Sequence, residues 1–390
     1  MNEEYLENLI SEAHNRGGGL ILSQGGRPAA VVMTVDKYNE ILTSNQVQVT
    51  SNMTKTMPEE ADFHSNNNKK ILVTGGAGYI GSHTVRELLK NGYEVLVIDN
   101  LSSGKLQNIP EAAQFLEGDL ADTNFLKDVF ASERIYAVMH FAASIEVEES
   151  VREPQKYLHN NTLNTANLLG VMSEFGVKKF IFSSTAAVYG EQEVMPINEH
   201  AKLQPNNPYG YSKLLAERII KYYCHFAGLQ SIIFRYFNAC GCDFDGAIRP
   251  THQSHLIPIV METAMGTRPA LKVYGNDYET ADGTAVRDYV HVLDIARAHV
   301  LALEKLGSFE SYEIYNIGTG NGKSVMEVVN TTKKVLGKGI PTEFAPRRAG
   351  DAPTTVADNS KIKNELGFEL EYSDLETIIK TSWNQMSRGA

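Results

Sequence analysis

From Ile71 onward the sequence predicts an α/β fold, a doubly wound parallel sheet followed by a smaller mixed α/β region, with a small α+β segment in front of it. Three observations predict it. Apolar strand-like runs alternate with helical segments. A glycine-rich turn joins the first run to the first helix, and an acid closes the second run.

The runs are "KILVTG", "YEVLVID", "AQFLEGD", "YAVMHFA", "KKFIFSS" and "QSIIFRYF", with "EIYNIGTG" as one more strand later in the chain. Continuous apolar runs with helices between them indicate right-handed βαβ units and a parallel sheet covered on both faces. After about Cys240 the pattern loosens. "LKVYGNDYETADGTAVRDYVHV" and "EFAPRRAGDAPTTVADNSKI" are turn-rich and charged, and are expected to cover a substrate rather than to form sheet. The expected division is an N-terminal segment over 1–45, a polar linker over 46–69, a nucleotide-binding domain over 70–239 and a substrate-binding region over 240–390, of which 287–325 returns to the nucleotide domain.

Gly75, Gly78 and Gly81 follow the first strand and open the helix "SHTVRELLKNG", which ends at Gly92. Missing side chains let the backbone turn tightly and approach a pyrophosphate, whose charge is met by unpaired N–H groups at the helix N-terminus. Asp99 closes the next strand eighteen residues beyond Gly81. A carboxylate there bonds adenosine ribose hydroxyls and repels a 2′-phosphate, so the expected cofactor is NAD, not NADP.

"PNNPYGYSKLLAERIIKYY" carries Tyr209 and Lys213 four residues apart, on one helix face. A phenol with a reference pKa near 10 is a poor base unless nearby positive charge favours its ionised form. Lys213 supplies one such charge. With 18 tyrosines in the chain, about one Tyr-x-x-x-Lys pair arises by chance, so context decides. That context is "FIFSSTAAVYG", which ends a strand at Ser183, Ser184 and Thr185, where parallel sheets bind ligands. Thr185 is the candidate to relay a substrate hydroxyl proton to Tyr209. Tyr211 lies on a different face.

"VTGGAGYIGSHT", "IDNLSSG", "EGDL", "HFAA", "FIFSSTAAVYGE", "PYGYSK", "RYFNACG", "GNDYETADGTAVRDYVHVLDIARAH", "YNIGTGNGKSV" and "RRAGDAP" together resemble the UDP-glucose 4-epimerase family of the extended short-chain dehydrogenase/reductase superfamily. The resemblance runs from Ile71 to about Trp383. It implies a Rossmann-like fold, a UDP-hexose substrate, a homodimer, and a reaction without net redox change. Tyr209 takes the proton of the 4-hydroxyl, the hydride moves to NAD, the 4-keto sugar turns over, and the hydride returns to the other face. Implied cofactor contacts, besides the glycines and Asp99, are Tyr79, Ile80, Asn100, Leu120, Phe141, Ala142, Ala143, Asn160, Ser183, Tyr209, Lys213 and Tyr236. Asp119 is an adenine contact by the same resemblance, or a strand-end turn residue. Implied substrate contacts are Thr185, Tyr209, Asn238, His255, Arg287, Arg348, Asp351 and Thr355. Guanidinium groups suit a diphosphate because they bond it bidentately; the alternative for each is a surface ion pair.

The sequence also departs from the family. Ile145 stands where many relatives carry a lysine that reaches the cofactor phosphates, and Glu146, Glu148 and Glu149 make the vicinity acidic. His255 stands where some relatives have asparagine. "ACGCD" has no second Cys or His pair at ligand spacing, and the expectation is no catalytic metal. Two other readings compete: a 4,6-dehydratase, which needs acidic residues where Ala186 and Ala187 stand, and a catalytically dead sensor of NAD or UDP-sugar. Another UDP-sugar 4-epimerase, acting on a uronate or pentose, is a further alternative.

In front of Ile71, "YLENLISEAHNRGGGLILSQGGRPAAVVMTVDKYNEIL" reads as a helix, two strands around Gly25 and Gly26, and a second short helix. It resembles the Phd/YefM antitoxins over about forty residues. Residues 1–45 hold six acidic and three basic side chains, so the basic footprint of DNA binding is missing, and a remnant or dimerisation module is expected. Over the whole chain of 390 residues the formal net charge is −11, which argues against nucleic acid or an anionic membrane as partner. Three cysteines make no disulfide framework, no apolar run reaches the roughly 18 residues of a membrane span, and the N-terminus lacks a cationic, apolar leader. The expectation is a reduced, cytoplasmic protein.

Overall fold

The computed structural model describes residues 19–24, 27–33, 69–248, 255–308, 310–348 and 351–387. The chain divides into two compact units, Met1–Asp62 and Phe63–Ala390. In the first, Gly19–Gln24 pairs antiparallel with Arg27–Met33, with a register irregularity between Leu22 and Ser23. These are the two strands expected around Gly25 and Gly26; the helices expected beside them lie outside the described residues.

In the second unit every strand-like run read from the sequence joins one sheet. Its seven strands are parallel and lie in the order Tyr312–Ile317, Gln230–Tyr236, Lys179–Thr185, Ile135–His140, Lys70–Thr74, Glu94–Asp99, Gln114–Glu117. The period of two along each strand serves both faces. Ile71, Val73, Val97, Met139, Ile181 and Phe234 enter one core, while Leu72, Ile98, Val138, Phe180, Phe182 and Ile233 enter the other. Strand order reverses beside Lys70–Thr74, because the next strands in the chain lie on one side of it and Ile135–His140 on the other. Such a reversal opens a crevice at the C-terminal ends of the strands.

The later region contains more sheet than its turn-rich sequence suggests. Leu271–Tyr274 pairs with Thr342–Ala345, Val286–Arg287 lies between Lys323–Ser324 and Thr354–Thr355, and Tyr289–His291 pairs with Asn238–Cys240. Strands of two to four residues are too short to show an alternating pattern, which is why the sequence reads there as loop. A third core holds this region together, with Ile257, Val260, Leu271, Val328 and Ile378 at its centre.

Four buried histidines are held neutral, His83 at about 4 among them. His140 and His291 are pushed down to about 3 and His299 to about 4, in each case chiefly by burial. Because their folded values lie below the ordinary 6.5, the native state binds fewer protons than the unfolded chain in acid. Their contribution is therefore complete above about pH 6.5 and is lost as the pH falls toward 4. Each costs about 1.4 kcal/mol per pH unit across that window. We expect the urea midpoint to fall between about pH 7 and about pH 5; a flat or rising midpoint would show that these histidines are protonated in the fold.

Candidate active site

The crevice begins at the glycine turn. Gly75 has φ of +74°, and a Cβ on it would lie 2.5 Å from the backbone nitrogen of Ala142 on the neighbouring strand end. A Cβ on Gly81 would lie 2.2 Å from the carbonyl oxygen of Gly75. Only glycines allow the turn to fold this tightly over its own helix, Tyr79–Lys90, whose N-cap Gly78 has no capping side chain. Amide groups at that end therefore remain available to an anion. Ile80 packs against the sheet core, and the Tyr79 hydroxyl donates to the carbonyl of Gly241 at 2.5 Å, so the Tyr79 side chain serves packing while its backbone belongs to the turn.

Asp99 accepts from the backbone nitrogens of Ala77 at 3.0 Å and Leu101 at 2.9 Å, which fixes its carboxylate beside the turn, and burial raises its pKa. Asp119 accepts from Asn100 Nδ2 and from the backbone nitrogen of Ala121, both at 2.8 Å. Asp119 thus closes its own turn, as the strand-end reading expects, and it also holds Asn100 at the adjacent strand end. Leu120 follows it, buried. Across the crevice, Phe141 and Ala142 donate their backbone N–H groups to Thr74, and Ala143 is half-buried beside them. Asn160 lies in a π-helical turn, Leu158–Leu163, and donates to the Ser144 hydroxyl at 2.9 Å. Turns of this kind often accompany functional sites.

The helix Pro208–Ala227 starts where the sequence dictates: Asn207 caps the Gly210 nitrogen at 2.9 Å and Pro208 occupies the first turn. It brings Tyr209 to Thr185, whose hydroxyl bonds the phenol. Tyr209 is half-buried, yet its hydroxyl is crowded enough that burial pushes the phenol up to about 12, against the lowering by Thr185. One turn on, the Lys213 ammonium donates to the Ser183 carbonyl at 2.8 Å and lies over the Phe182 ring. Lys213 is 2% exposed, and burial lowers it to about 7, opposed by the charge of Glu217. Tyr211 faces solvent, as the helical spacing requires.

Tyr236 sits at the end of the next strand, its phenol bonded to the Ser183 hydroxyl and to His299 Nε2 at 2.7 Å. His299 Nδ1 meets the carbonyl of Ile295 at 2.8 Å, which places its proton on Nδ1 and makes Nε2 the acceptor from Tyr236. His299 has no role in the sequence reading, since its partner is 63 residues away.

On the substrate side, Arg287 Nη2 meets Asp351 at 3.1 Å, and Arg287 pairs in register with Thr355. Asn238 donates through its side chain to the Asp288 carbonyl at 3.2 Å. Arg348 is stacked over the Tyr274 ring at 4.0 Å, and His255 stands exposed at the start of the helix Leu256–Met265. Asn238, Arg287, Asp351 and Thr355 are thus brought together. Arg348 shares a turn with Asp351, whose backbone nitrogen donates to the Arg348 carbonyl at 3.3 Å, while His255 lies on a separate element. The organiser is Asp288, next to the sequence-selected Arg287. Its buried carboxylate accepts from the Thr319 nitrogen and hydroxyl, Gly320 and Ala357 at 2.6–3.1 Å. A Cβ on Gly318 would reach 2.6 Å from the same carboxylate. The acid in "VRDY" is the signal that could have found it.

A glycine turn over an uncapped helix N-terminus, a carboxylate fixed beside it and a Tyr/Thr/Lys cluster at one strand end match a known pattern. The model of the NAD dependent epimerase/dehydratase family matches residues 71–318. The chain belongs to that family. It is 46% identical to the UDP-glucose 4-epimerase of Lacticaseibacillus casei over 316 residues, covering 80% of this chain and 96% of the relative. The crystal structure of the Brucella ovis UDP-glucose 4-epimerase in complex with NAD superposes with a TM-score of 0.79 at 44% identity, covering 81% of this chain and 97% of that one. The Campylobacter jejuni UDP-Glc/GlcNAc 4-epimerase gives 0.74 at 44% identity, with 82% and 99% covered. The residues of the turn fit the family's cofactor: the glycines let the backbone fold tightly against its own neighbours, and the helix start has no side-chain cap, so its amide groups can meet a pyrophosphate.

Gly81→Ala forces the turn open, and we expect it to weaken NAD retention by about tenfold or more, the equivalent of about 1.4 kcal/mol. Gly307→Ala, with open space around its Cβ position, is the control. Nucleotide released on denaturation measures both; equal NAD content in the two variants would contradict the role of the turn.

Proposed function

We infer that this chain interconverts UDP-glucose and UDP-galactose by inverting carbon 4 of the hexose, with NAD as its cofactor. The observation that carries the reading is the meeting of Tyr209, Thr185 and Lys213 at the open end of the sheet beside the glycine turn. Relatives of the same length over the matched region support it.

In this reading Gly75, Gly78 and Gly81, with the backbone of Tyr79 and Ile80, hold the pyrophosphate, and Asp99 holds the adenosine ribose. Asn100, Asp119 and Leu120 flank the adenine, and Phe141, Ala142, Ala143, Asn160, Ser183 and Tyr236 complete the cradle. When bound, NAD takes up the hydride of carbon 4 and returns it. Tyr209 accepts the 4-hydroxyl proton on its phenolate oxygen and later gives it back, with Thr185 bridging sugar and phenol. The buried environment opposes this, since Tyr209 is pushed up to about 12. Positive charge brought beside the phenol is therefore a condition of the chemistry, and Lys213 at the next turn supplies part of it.

Asn238, His255, Arg287, Arg348 and Asp351 are proposed to anchor the UDP moiety, leaving the hexose free to present either face. Binding energy placed on the nucleotide rather than the sugar allows that rotation. Glu146, Glu148 and Glu149 keep the region around Ile145 acidic, so the cofactor phosphates are left to the backbone of the glycine turn. A second copy of the chain is the proposed partner. Leu158, Leu163, Tyr222 and Phe226 expose apolar surface on the π-helical turn and on the Tyr209 helix packed beside it.

Tyr209→Phe keeps the ring and removes the proton acceptor, so we expect the protein to fold, keep NAD and lose about 10²- to 10⁴-fold in turnover. Lys213→Met lowers turnover in the same direction, and Tyr211→Phe, which alters only an exposed hydroxyl, leaves it near wild type. Steady-state turnover of UDP-galactose checks all three; an active Tyr209→Phe enzyme with NAD bound would reject the assignment. Thr355 is small and lies in register with Arg287, so we also expect UDP-N-acetylglucosamine to be turned over. NMR of the anomeric protons reads this directly, and no conversion beside normal turnover of UDP-glucose would exclude it.

A further inference from the structure

Outside the candidate active site, three metal-ligating side chains meet in the interior. His83 belongs to the second turn of the helix Tyr79–Lys90, whereas Cys242 and Asp243 follow the strand Asn238–Cys240, some 160 residues later. Their ligand atoms all lie within 4.8 Å of one another. His83 is 1% exposed, Cys242 0% and Asp243 8%.

The polar bookkeeping at this point does not close. Asp243 Oδ2 is buried with no hydrogen-bond partner among the described residues, and the carboxyl of Asp245, itself an acceptor, lies against it. An unsatisfied buried oxygen is costly, and two facing acceptors need a proton or a cation between them. The imidazole is set up for a metal. His83 Nδ1 donates to the Tyr79 carbonyl at 2.8 Å, the outer bond that a ligating histidine characteristically makes, which leaves Nε2 directed at the cluster. There it accepts the Asp243 backbone N–H at 3.1 Å. The Cys242 thiol donates to Asp243 Oδ1 at 2.9 Å, a weak bond that an ion would replace.

We propose that His83, Cys242 and Asp243 bind one zinc ion that clips the glycine-loop helix to the segment leading from the sheet into the substrate-binding region. Nitrogen, thiolate sulfur and carboxylate oxygen are the zinc ligand set, and a thiolate disfavours magnesium or calcium. Binding is balanced as follows: Cys242 releases its S–H proton to solvent and its thiolate bonds the metal; Nε2 exchanges the Asp243 N–H for the ion; Asp243 Oδ2 gains the partner it lacks. The fourth position falls to water or to Asp245. With the thiolate and the carboxylates of Asp243 and Asp245 negative and Arg86 positive beside Asp245, a divalent cation brings the local charge to zero. The ion is structural. It ties the cofactor-side helix to the chain segment that follows Asn238, and takes no part in proton or hydride transfer.

The test uses the full chain. Protein made in zinc-supplemented medium is expected to hold one zinc per chain by elemental analysis. After chelation, cobalt is expected to restore a sulfur-to-cobalt charge-transfer band in the near ultraviolet with tetrahedral bands in the visible. Cys242→Ala abolishes the band and Asp243→Asn weakens cobalt binding, whereas Cys240→Ala, a buried neighbour outside the cluster, keeps it. Zinc raises the melting temperature of the wild type and of Cys240→Ala. Folded wild-type protein that takes up no zinc and shows no cobalt–thiolate band overturns the proposal, whether or not Cys242→Ala folds. So does a band that survives in Cys242→Ala or disappears in Cys240→Ala.

Discussion

The position of the chemistry depends on one buried carboxylate. Glu217, fully buried, accepts from Ser184 Oγ at 2.6 Å and from Arg235 Nε at 3.0 Å and Nη2 at 2.7 Å. It therefore joins the Tyr209 helix to two neighbouring strands, the one that ends in Thr185 and the one that ends in Tyr236. Tyr209, Lys213 and Glu217 are spaced by four, along one helix face. Once Glu217 is held, Lys213 reaches the Ser183 carbonyl and Tyr209 reaches Thr185. The charge of Arg235 is satisfied on its other side by the Tyr189 hydroxyl at 3.0 Å and the Glu199 carbonyl at 3.2 Å. Such a pair adds little net stability against an apolar replacement, yet removing one partner costs about 3–5 kcal/mol. Its contribution is alignment.

Burial sets the electrostatics in a direction that the proposed chemistry must overcome. Tyr209 is raised to about 12 and Lys213 lowered to about 7, so desolvation favours the neutral form of both. Glu217, one turn beyond Lys213, partly restores the ammonium. Behind them the Ser183, Tyr236 and His299 chain supplies hydrogen bonds without net charge, because His299 is held neutral. In the proposed reaction a further cation beside the phenol is needed, which would couple proton removal to the cofactor state able to receive the hydride.

Much of this was legible in the sequence where the interactions are local. All seven central strands coincide with apolar runs, the glycine turn and Asp99 follow from spacing, and the capped start of the Tyr209 helix follows from "NPYG". Tyr209 and Lys213 were readable because a helix puts residues four apart on one face. Contacts across long stretches of chain were not. Nothing in the sequence near Glu217 says that Arg235 will meet it, and Asp288 is one acid among many until Thr319, Gly320 and Ala357 converge on it. Likewise "ACGCD" lacks a second ligand pair in sequence, while the fold delivers His83 to it. The short strands beyond Cys240 stayed hidden for a related reason, since two residues cannot display a period.

In the proposed reaction the hydride leaving carbon 4 is retained by the enzyme and returns to the same carbon. UDP-galactose carrying deuterium at carbon 4, incubated with the enzyme in ordinary water, measures this directly by NMR and mass analysis of the UDP-glucose formed. The deuterium is expected to remain at carbon 4 through many turnovers. Its replacement by solvent hydrogen would rule out hydride storage, because inversion would then proceed by proton exchange.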